Sequence, residues 1–178
     1  MKEDIKEVLL TESQIRDKIR EIAKQISKDY KDKNPILVGI LKGSVIFLSD
    51  LMKEIDIPCT MDFMAVSSYG NSTESTGIVK IIKDLDSSIQ GENVIIVEDI
   101  IDTGVTLSYL RNYLKARNPN SIEIVTLLNK PSRRKVEIIP KYCGFSVPDY
   151  FLVGYGLDFA EKYRNLPFVG SLKEEVYK

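Results

Sequence analysis

Three carboxylates, Glu98, Asp99 and Asp102, close the apolar run Val94-Ile95-Ile96-Val97, and Thr103-Gly104-Val105-Thr106 follows at once. Glu98 and Asp99 can accept hydrogen bonds from hydroxyls or hold a hydrated cation. The residues after them suit the opposite charge. A turn through Asp102, Thr103, Gly104, Val105 and Thr106 that opens a helix presents backbone N–H groups, two hydroxyls and the positive end of a helix dipole, a cradle for a phosphate dianion. Gly104 permits a positive φ or a close approach of the backbone to the anion. An acid pair about one sugar's length from an anion site fits a phosphorylated sugar. The same residues are also compatible with a plain strand end followed by helix caps.

These groups need a scaffold, and the pattern of the chain supplies one. The β-branched run before Glu98 predicts a strand buried on both faces, and ligands of open α/β sheets lie beyond the carboxyl ends of such strands. Leu107, Leu110 and Leu114 form the apolar stripe of a helix behind the turn. Upstream, Thr11 and Gln14 read as a capping box, with Ile15, Ile19, Ile22, Ile26 and Tyr30 at helical spacing. Residues 36–41 read as a buried strand leading through Lys42-Gly43-Ser44 into a helix that reaches about Ile55. Residues 61–67, 78–83 and 122–128 suit further strands. Residues 68–77, from Ser68 and Tyr69 onward, are polar enough for a solvated hairpin tip. The stretch 148–158 repeats the pattern of an apolar strand delivering an acid, here Asp158. Residues 132–135, Ser-Arg-Arg-Lys, read as a surface charge run. Helical and strand patterns alternate, which predicts an α/β fold with a Rossmann-like, mainly parallel sheet flanked by helices.

The apolar run, two acids, two further apolar residues and Asp-Thr-Gly-x-Thr resemble, without interruption, the diphosphate-sugar signature of the type I phosphoribosyltransferases. From about residue 41 to residue 166 the resemblance narrows to the hypoxanthine-guanine phosphoribosyltransferases, whose V-G-Y-x-L-D-x-x-x-x-x-R pattern is carried by Val153, Gly154, Tyr155, Leu157, Asp158 and Arg164. Gly156 falls on a variable position of that pattern. The resemblance implies transfer of ribose 5-phosphate from 5-phospho-α-D-ribose 1-diphosphate to N9 of hypoxanthine or guanine, giving IMP or GMP and diphosphate with Mg2+. It implies that Leu41, Lys42, Gly43 and Arg164 contact the diphosphate and that Lys130 donates to the purine 6-oxo group. It further implies that Phe151 stacks on the base and the Leu152 backbone reads its edge, while Glu98, Asp99 and Asp158 hold metal and Ser68-Tyr69 belong to a closing lid. Asp102 is placed to handle the proton on purine N7. The family also implies a small hood over the base, built from residues near both chain ends within one domain spanning 1–178, and assembly as a homodimer or homotetramer.

Composition narrows the alternatives. The 178 residues carry 43% hydrophobic content, enough for a core of their own. A net charge of −1 gives no general attraction to nucleic acid or to anionic membrane. No apolar run has membrane-spanning length and the charged N-terminal segment lacks a signal peptide's apolar centre, which predicts a cytoplasmic protein. Cys59 and Cys143, without a Cys-x-x-Cys partner, are expected to be reduced and partly buried. The chain has no histidine, so acid–base chemistry falls to carboxylates, Lys or Tyr. It contains neither a P-loop nor a G-x-G-x-x-G after the first strand, against a P-loop NTPase and a dinucleotide-dependent dehydrogenase. A nucleotide-sensing regulator of phosphoribosyltransferase type is the remaining rival. Such regulators carry an added DNA-binding domain or a basic RNA-binding face.

Overall fold

The computed structural model describes residues 1–68 and 79–177. The β-branched run becomes β5 (Asn93–Ile101), an inner strand of a six-stranded sheet. Its parallel neighbours are β2 (Ile36–Leu41) and β6 (Ser121–Asn129). Beyond β2 lie β3 (Thr60–Ser68), parallel to it, and β4 (Val79–Lys83), the single antiparallel member; β7 (Tyr142–Ser146) closes the other edge in parallel.

Alternation along these strands divides the core between the two faces of the sheet. Leu37, Ile95, Val97, Val125 and Leu127 pack with α1 (Glu12–Asp29) and α2 (Val45–Glu54). Val38, Ile40, Val94, Ile96 and Ile124 pack with Leu107, Leu110 and Leu114 of α3 (Val105–Lys115). The expected capping box is in place: Thr11 Oγ1 accepts from the Gln14 N–H, and Gln14 Oε1 accepts from the Thr11 N–H at 2.8 Å. The six residues of β2 lie as expected, and residues 61–67 and 122–128 fall within β3 and β6.

A second, three-stranded sheet stands apart, in the order β1 (Ile5–Leu10), β9 (Val169–Leu172), β8 (Leu152–Val153), all antiparallel. It joins the two chain ends, as the family resemblance implies for a hood. Lys173 N–H donates to Asp4 O at 2.9 Å and the Tyr163 hydroxyl to Asp4 Oδ2 at 3.0 Å, fixing the join. The short helix α4 (Glu174–Tyr177) follows.

The structure departs from the sequence pattern at two places. Residues 148–158 do not form one core strand. Only Leu152 and Val153 are extended, and they belong to the hood; the chain then turns, with Gly154, Tyr155 and Gly156 all at positive φ. The buried Tyr155 hydroxyl donates to Asp50 Oδ2 of α2 at 2.6 Å and so anchors that turn to the core. Cys143 is exposed, on the edge strand β7, while Cys59 is half-buried as expected.

A candidate active site of two adjoining clefts

Parallel register brings the carboxyl ends of β2, β5 and β6 to one edge of the sheet. Gly39 pairs with Val97 and Ile101 with Asn129, so the loops after these strands open side by side. A cleft of about 360 Å3 lies there, lined by Leu41, Lys42, Gly43, Glu98, Asp99, Asp102 through Gly104, Thr106, Asp158 and Arg164. A second, of about 410 Å3, is lined by Lys130, Arg133, Asp149, Tyr150, Phe151, Leu152 and Tyr177. Both share Ile100, Asp102 and Asp158. Two ligand fragments bound in the two clefts would therefore meet at Asp102.

In the first cleft the acids stand inside the strand, because β5 runs on through Glu98 and Asp99 to Ile101. Glu98 Oε2 is buried with no hydrogen-bond partner. Its carboxyl titrates well above the ordinary range, first because burial penalises the charge and then because Asp99 is negative. Asp99 is likewise raised by burial, to about 6, although the Ile100 N–H donates to its Oδ1 at 2.7 Å and Arg164 opposes the rise. The loop after β2 lies directly on this acid. A Cβ on Gly43 would stand 1.7 Å from Asp99 Oδ2, and one on Gly156 would stand 2.1 Å from the Gly43 carbonyl oxygen. Only glycine admits that stack. The requirement at Gly156 is invisible in the sequence pattern because it comes from a backbone more than a hundred residues away.

The turn after β5 behaves as its composition predicts. Gly104 is the N-cap of α3 at φ 79°, and the Val105 N–H reaches Thr103 Oγ1 at 3.4 Å. The Lys135 N–H donates to the Thr103 carbonyl at 3.0 Å and braces the turn from outside. First-turn N–H groups of a helix have no acceptor within it, so the Thr106 N–H keeps a donor for an anion, while that of Val105 is held only at long range by Thr103 Oγ1. Because Gly104 is the cap, Asp102 does not cap α3.

Across the cleft, Lys42 Nζ meets Glu161 Oε2 at 2.8 Å, and Arg164 Nη2 meets Asp158 Oδ1 at 2.9 Å and Glu161 Oε1 at 3.2 Å. Arg164 Nη1 donates to the Gly156 carbonyl at 2.7 Å, and its Nε is buried without a partner. The Leu41–Lys42 peptide is cis. Among the described residues no group of three or more acids, cysteines or histidines has the geometry of a metal cluster. Glu98, Asp99 and Asp158 are oxygen donors of the kind that hold Mg2+ through one or two carboxylates, with substrate phosphates completing the shell.

The second cleft is walled by aromatic rings. Phe151 stacks on Tyr177 with centroids 4.8 Å apart and planes at 21°, and meets Phe159 edge-on at 5.4 Å. Lys130 is buried; its Nζ donates to the Tyr150 carbonyl at 2.7 Å and lies 3.6 Å from Asp149 Oδ1. The charge run at 132–135 is not merely solvated surface. Arg133 Nε lies 2.8 Å from Asp102 Oδ1 and its Nη1 3.4 Å from Asp149 Oδ1, while Arg134 binds Asn129 and packs near Gly104. Sequence alone gives no signal that separates these arginines from an exposed run. Of the expected lid, Ser68 ends β3, and Tyr69 with the rest of the stretch lies outside the described residues.

The raised Asp99 carboxyl has a measurable consequence. A folded-state value of about 6, above the ordinary 3.8, means that the charged carboxylate weakens the fold above about pH 6, and that this penalty vanishes as the pH falls below the unfolded value. Asp99→Asn is therefore expected to stabilise the protein at about pH 8 by on the order of 1–3 kcal/mol, and hardly at all near pH 4. Urea unfolding at the two pH values checks this; a variant less stable at both would contradict it.

Comparison with known proteins agrees with this geometry. The family profile of the phosphoribosyl transferase domain matches residues 7–160. The chain is 54% identical over 178 residues to a hypoxanthine-guanine phosphoribosyltransferase of Bacillus subtilis, covering 100% of this chain and 99% of that protein. A crystal structure of a hypoxanthine phosphoribosyltransferase from Staphylococcus aureus superposes with a TM-score of 0.98 at 56% identity, covering 100% of this chain and 97% of the other. A hypoxanthine-guanine phosphoribosyltransferase from Bacillus anthracis, solved with a HEPES molecule in its active site, gives 0.91 at 48% identity, covering 95% and 99%. With acids, anion turn and aromatic cleft in one place and relatives matched from end to end, the chain belongs to the phosphoribosyltransferase family.

Proposed function

We propose that the protein is a purine-salvage enzyme that moves ribose 5-phosphate from 5-phospho-α-D-ribose 1-diphosphate to N9 of hypoxanthine or guanine, yielding IMP or GMP and diphosphate. The observation that carries this reading is the sharing of Asp102 and Asp158 by the two clefts, one fitted to a charged sugar and the other to a flat ring. The Thr103–Thr106 turn takes the 5-phosphate, Glu98 and Asp99 the ribose hydroxyls, and Lys42, Gly43 and Arg164 the diphosphate. Phe151 stacks on the base, a contact worth on the order of 1–3 kcal/mol in comparable sites. Lys130 donates to the 6-oxo oxygen and the Leu152 backbone reads the ring edge.

Leaving of the diphosphate makes C1 electron-poor, so binding both fragments in line supplies much of the rate. Asp158 and the Glu98–Asp99 pair would hold Mg2+, which would supply positive charge beside the departing diphosphate. The fit is supported by the all-oxygen donor set and by the partnerless Glu98 Oε2. Asp102 takes the proton from purine N7. Its Oδ1 is buried and accepts no aligned hydrogen bond, although Arg133 stands 2.8 Å away, which leaves it ready to accept one from a base. The same reading places the protein in the cytoplasm; none of the described helices is long and apolar enough to cross a membrane. It also makes the protein a homodimer or homotetramer. Exposed Val45 and Met61, beside Leu48, Met52 and Phe63 in an apolar groove of about 540 Å3, support such an assembly.

Steady-state turnover of hypoxanthine, guanine, xanthine and adenine with the diphosphate sugar and magnesium tests the function. Hypoxanthine and guanine should react and adenine should not; turnover of none, with nucleotide binding intact, would favour a sensor. In the same assay Lys130→Gln should slow both oxo-purines and narrow their lead over adenine, because a lysine facing a 6-amino group lacks an acceptor. An unchanged ratio would assign that selectivity to another group.

Asp102→Asn separates chemistry from folding. Gly104 already caps α3, so the amide should leave stability nearly unaltered while removing the proton acceptor. A fall in kcat of roughly 10²–10⁴-fold is expected, with a smaller change in KM for the diphosphate sugar. A well-folded variant with normal turnover would remove Asp102 from the mechanism.

A further inference from the structure

Lys42 and Arg164 reach the first cleft from loops far apart in the chain, and one carboxylate holds both. Glu161 places Oε2 2.8 Å from Lys42 Nζ and Oε1 3.2 Å from Arg164 Nη2. Its own N–H donates to Asp158 Oδ2 at 2.9 Å, which ties its backbone to the acid on the other side of Arg164. Glu161 and the preceding Ala160 both sit at positive φ, 64° and 50°. Left-handed backbone at two consecutive residues with side chains is costly, and such conformations persist where the surroundings hold them, often at ligand clamps. A bridge of two oxygens between two cations is also the arrangement that two oxygens of a diphosphate would adopt.

We infer that Glu161 is a built-in competitor for the diphosphate, closing the Lys42–Arg164 pair when the cleft lacks that group and leaving it when the group arrives. This rests on the reading of Lys42 and Arg164 as diphosphate contacts. Glu161 and Lys42 side chains are 64% and 69% exposed, so their pair is weak and solvent-screened. A multiply charged diphosphate outcompetes one carboxylate for the same two cations. The same competition acts on the free diphosphate after bond cleavage, so Glu161 weakens its retention as well. Glu161 therefore sets affinity for the diphosphate end and the ease of its release, without touching the reacting carbon.

The consequence has an unusual sign, because removing a charge from the site tightens binding. Calorimetric titration of magnesium pyrophosphate into wild type, Glu161→Gln, Glu161→Ala and Lys42→Ala tests it. Both Glu161 variants should bind about two- to fivefold more tightly, the span that a solvent-exposed ion pair commands. The gain should shrink as added salt screens the bridge in wild type. A role confined to holding the turn would instead weaken binding in both variants. If Lys42→Ala weakens binding while neither Glu161 variant tightens it, the competitor role is overturned and the assignment of Lys42 stands. If Lys42→Ala binds as wild type does, the diphosphate lies elsewhere and both readings fail.

Discussion

Two neighbouring carboxylates on the central strand of a parallel sheet, with too little water to solvate them, are the constraint that the site is built around. β5 puts Glu98 and Asp99 at the edge where β2 and β6 also end, and parallel register leaves no freedom in which loops face them. The loop after β2 must approach within contact of Asp99, hence Gly43; the turn behind must approach Gly43, hence Gly156. The burial that raises both carboxyls is the same burial that makes a cation or sugar hydroxyls welcome beside them.

Charge in the rest of the site is already matched within the protein. Lys42 and Arg164 are held by Glu161 and Asp158, while Arg133 and Lys130 stand against Asp102 and Asp149. The groups left over are telling. Among the buried side-chain atoms without hydrogen-bond partners, Arg134 Nη1 and Ser171 Oγ lie outside the clefts, whereas Glu98 Oε2, Arg164 Nε and Asp102 Oδ1, the last still ion-paired to Arg133, line them. An unpaired buried polar atom costs on the order of 1–3 kcal/mol, so Glu98 Oε2 and Arg164 Nε in one cleft mark where a ligand completes the structure.

What could be read from the sequence was what depends on local pattern. β5 and its turn, the leucine stripe of α3, the capping box of α1 and the strand before Lys42 are each written in consecutive residues, and they hold Glu98 through Thr106 and Lys42-Gly43. The hood was not legible from the residues themselves, since β8 has two residues and finds its partners only through β9, near the chain's end. The family resemblance supplied it. Arg133 and Glu161 escaped because a charged side chain reads as solvated until the partner that faces it is known. The turn at 154–158 has the sequence pattern of a strand because its apolar residues are buried as a strand's would be, while positive φ at Tyr155 leaves no mark on composition.

The central claim is that the sugar and the purine bind in the two adjoining clefts and meet beside Asp102. It is tested most directly by a crystal structure of the protein with the diphosphate sugar, magnesium and 9-deazahypoxanthine, an analogue without the attacking N9. The account predicts the 5-phosphate on the N–H groups of the Thr103–Thr106 turn and the ribose hydroxyls on Glu98 and Asp99. It places the diphosphate at Lys42 and Arg164, with Glu161 displaced, and the ring on Phe151 with N7 facing Asp102. A phosphate bound away from that turn, or a ring that does not reach Phe151 and Asp102, would contradict it.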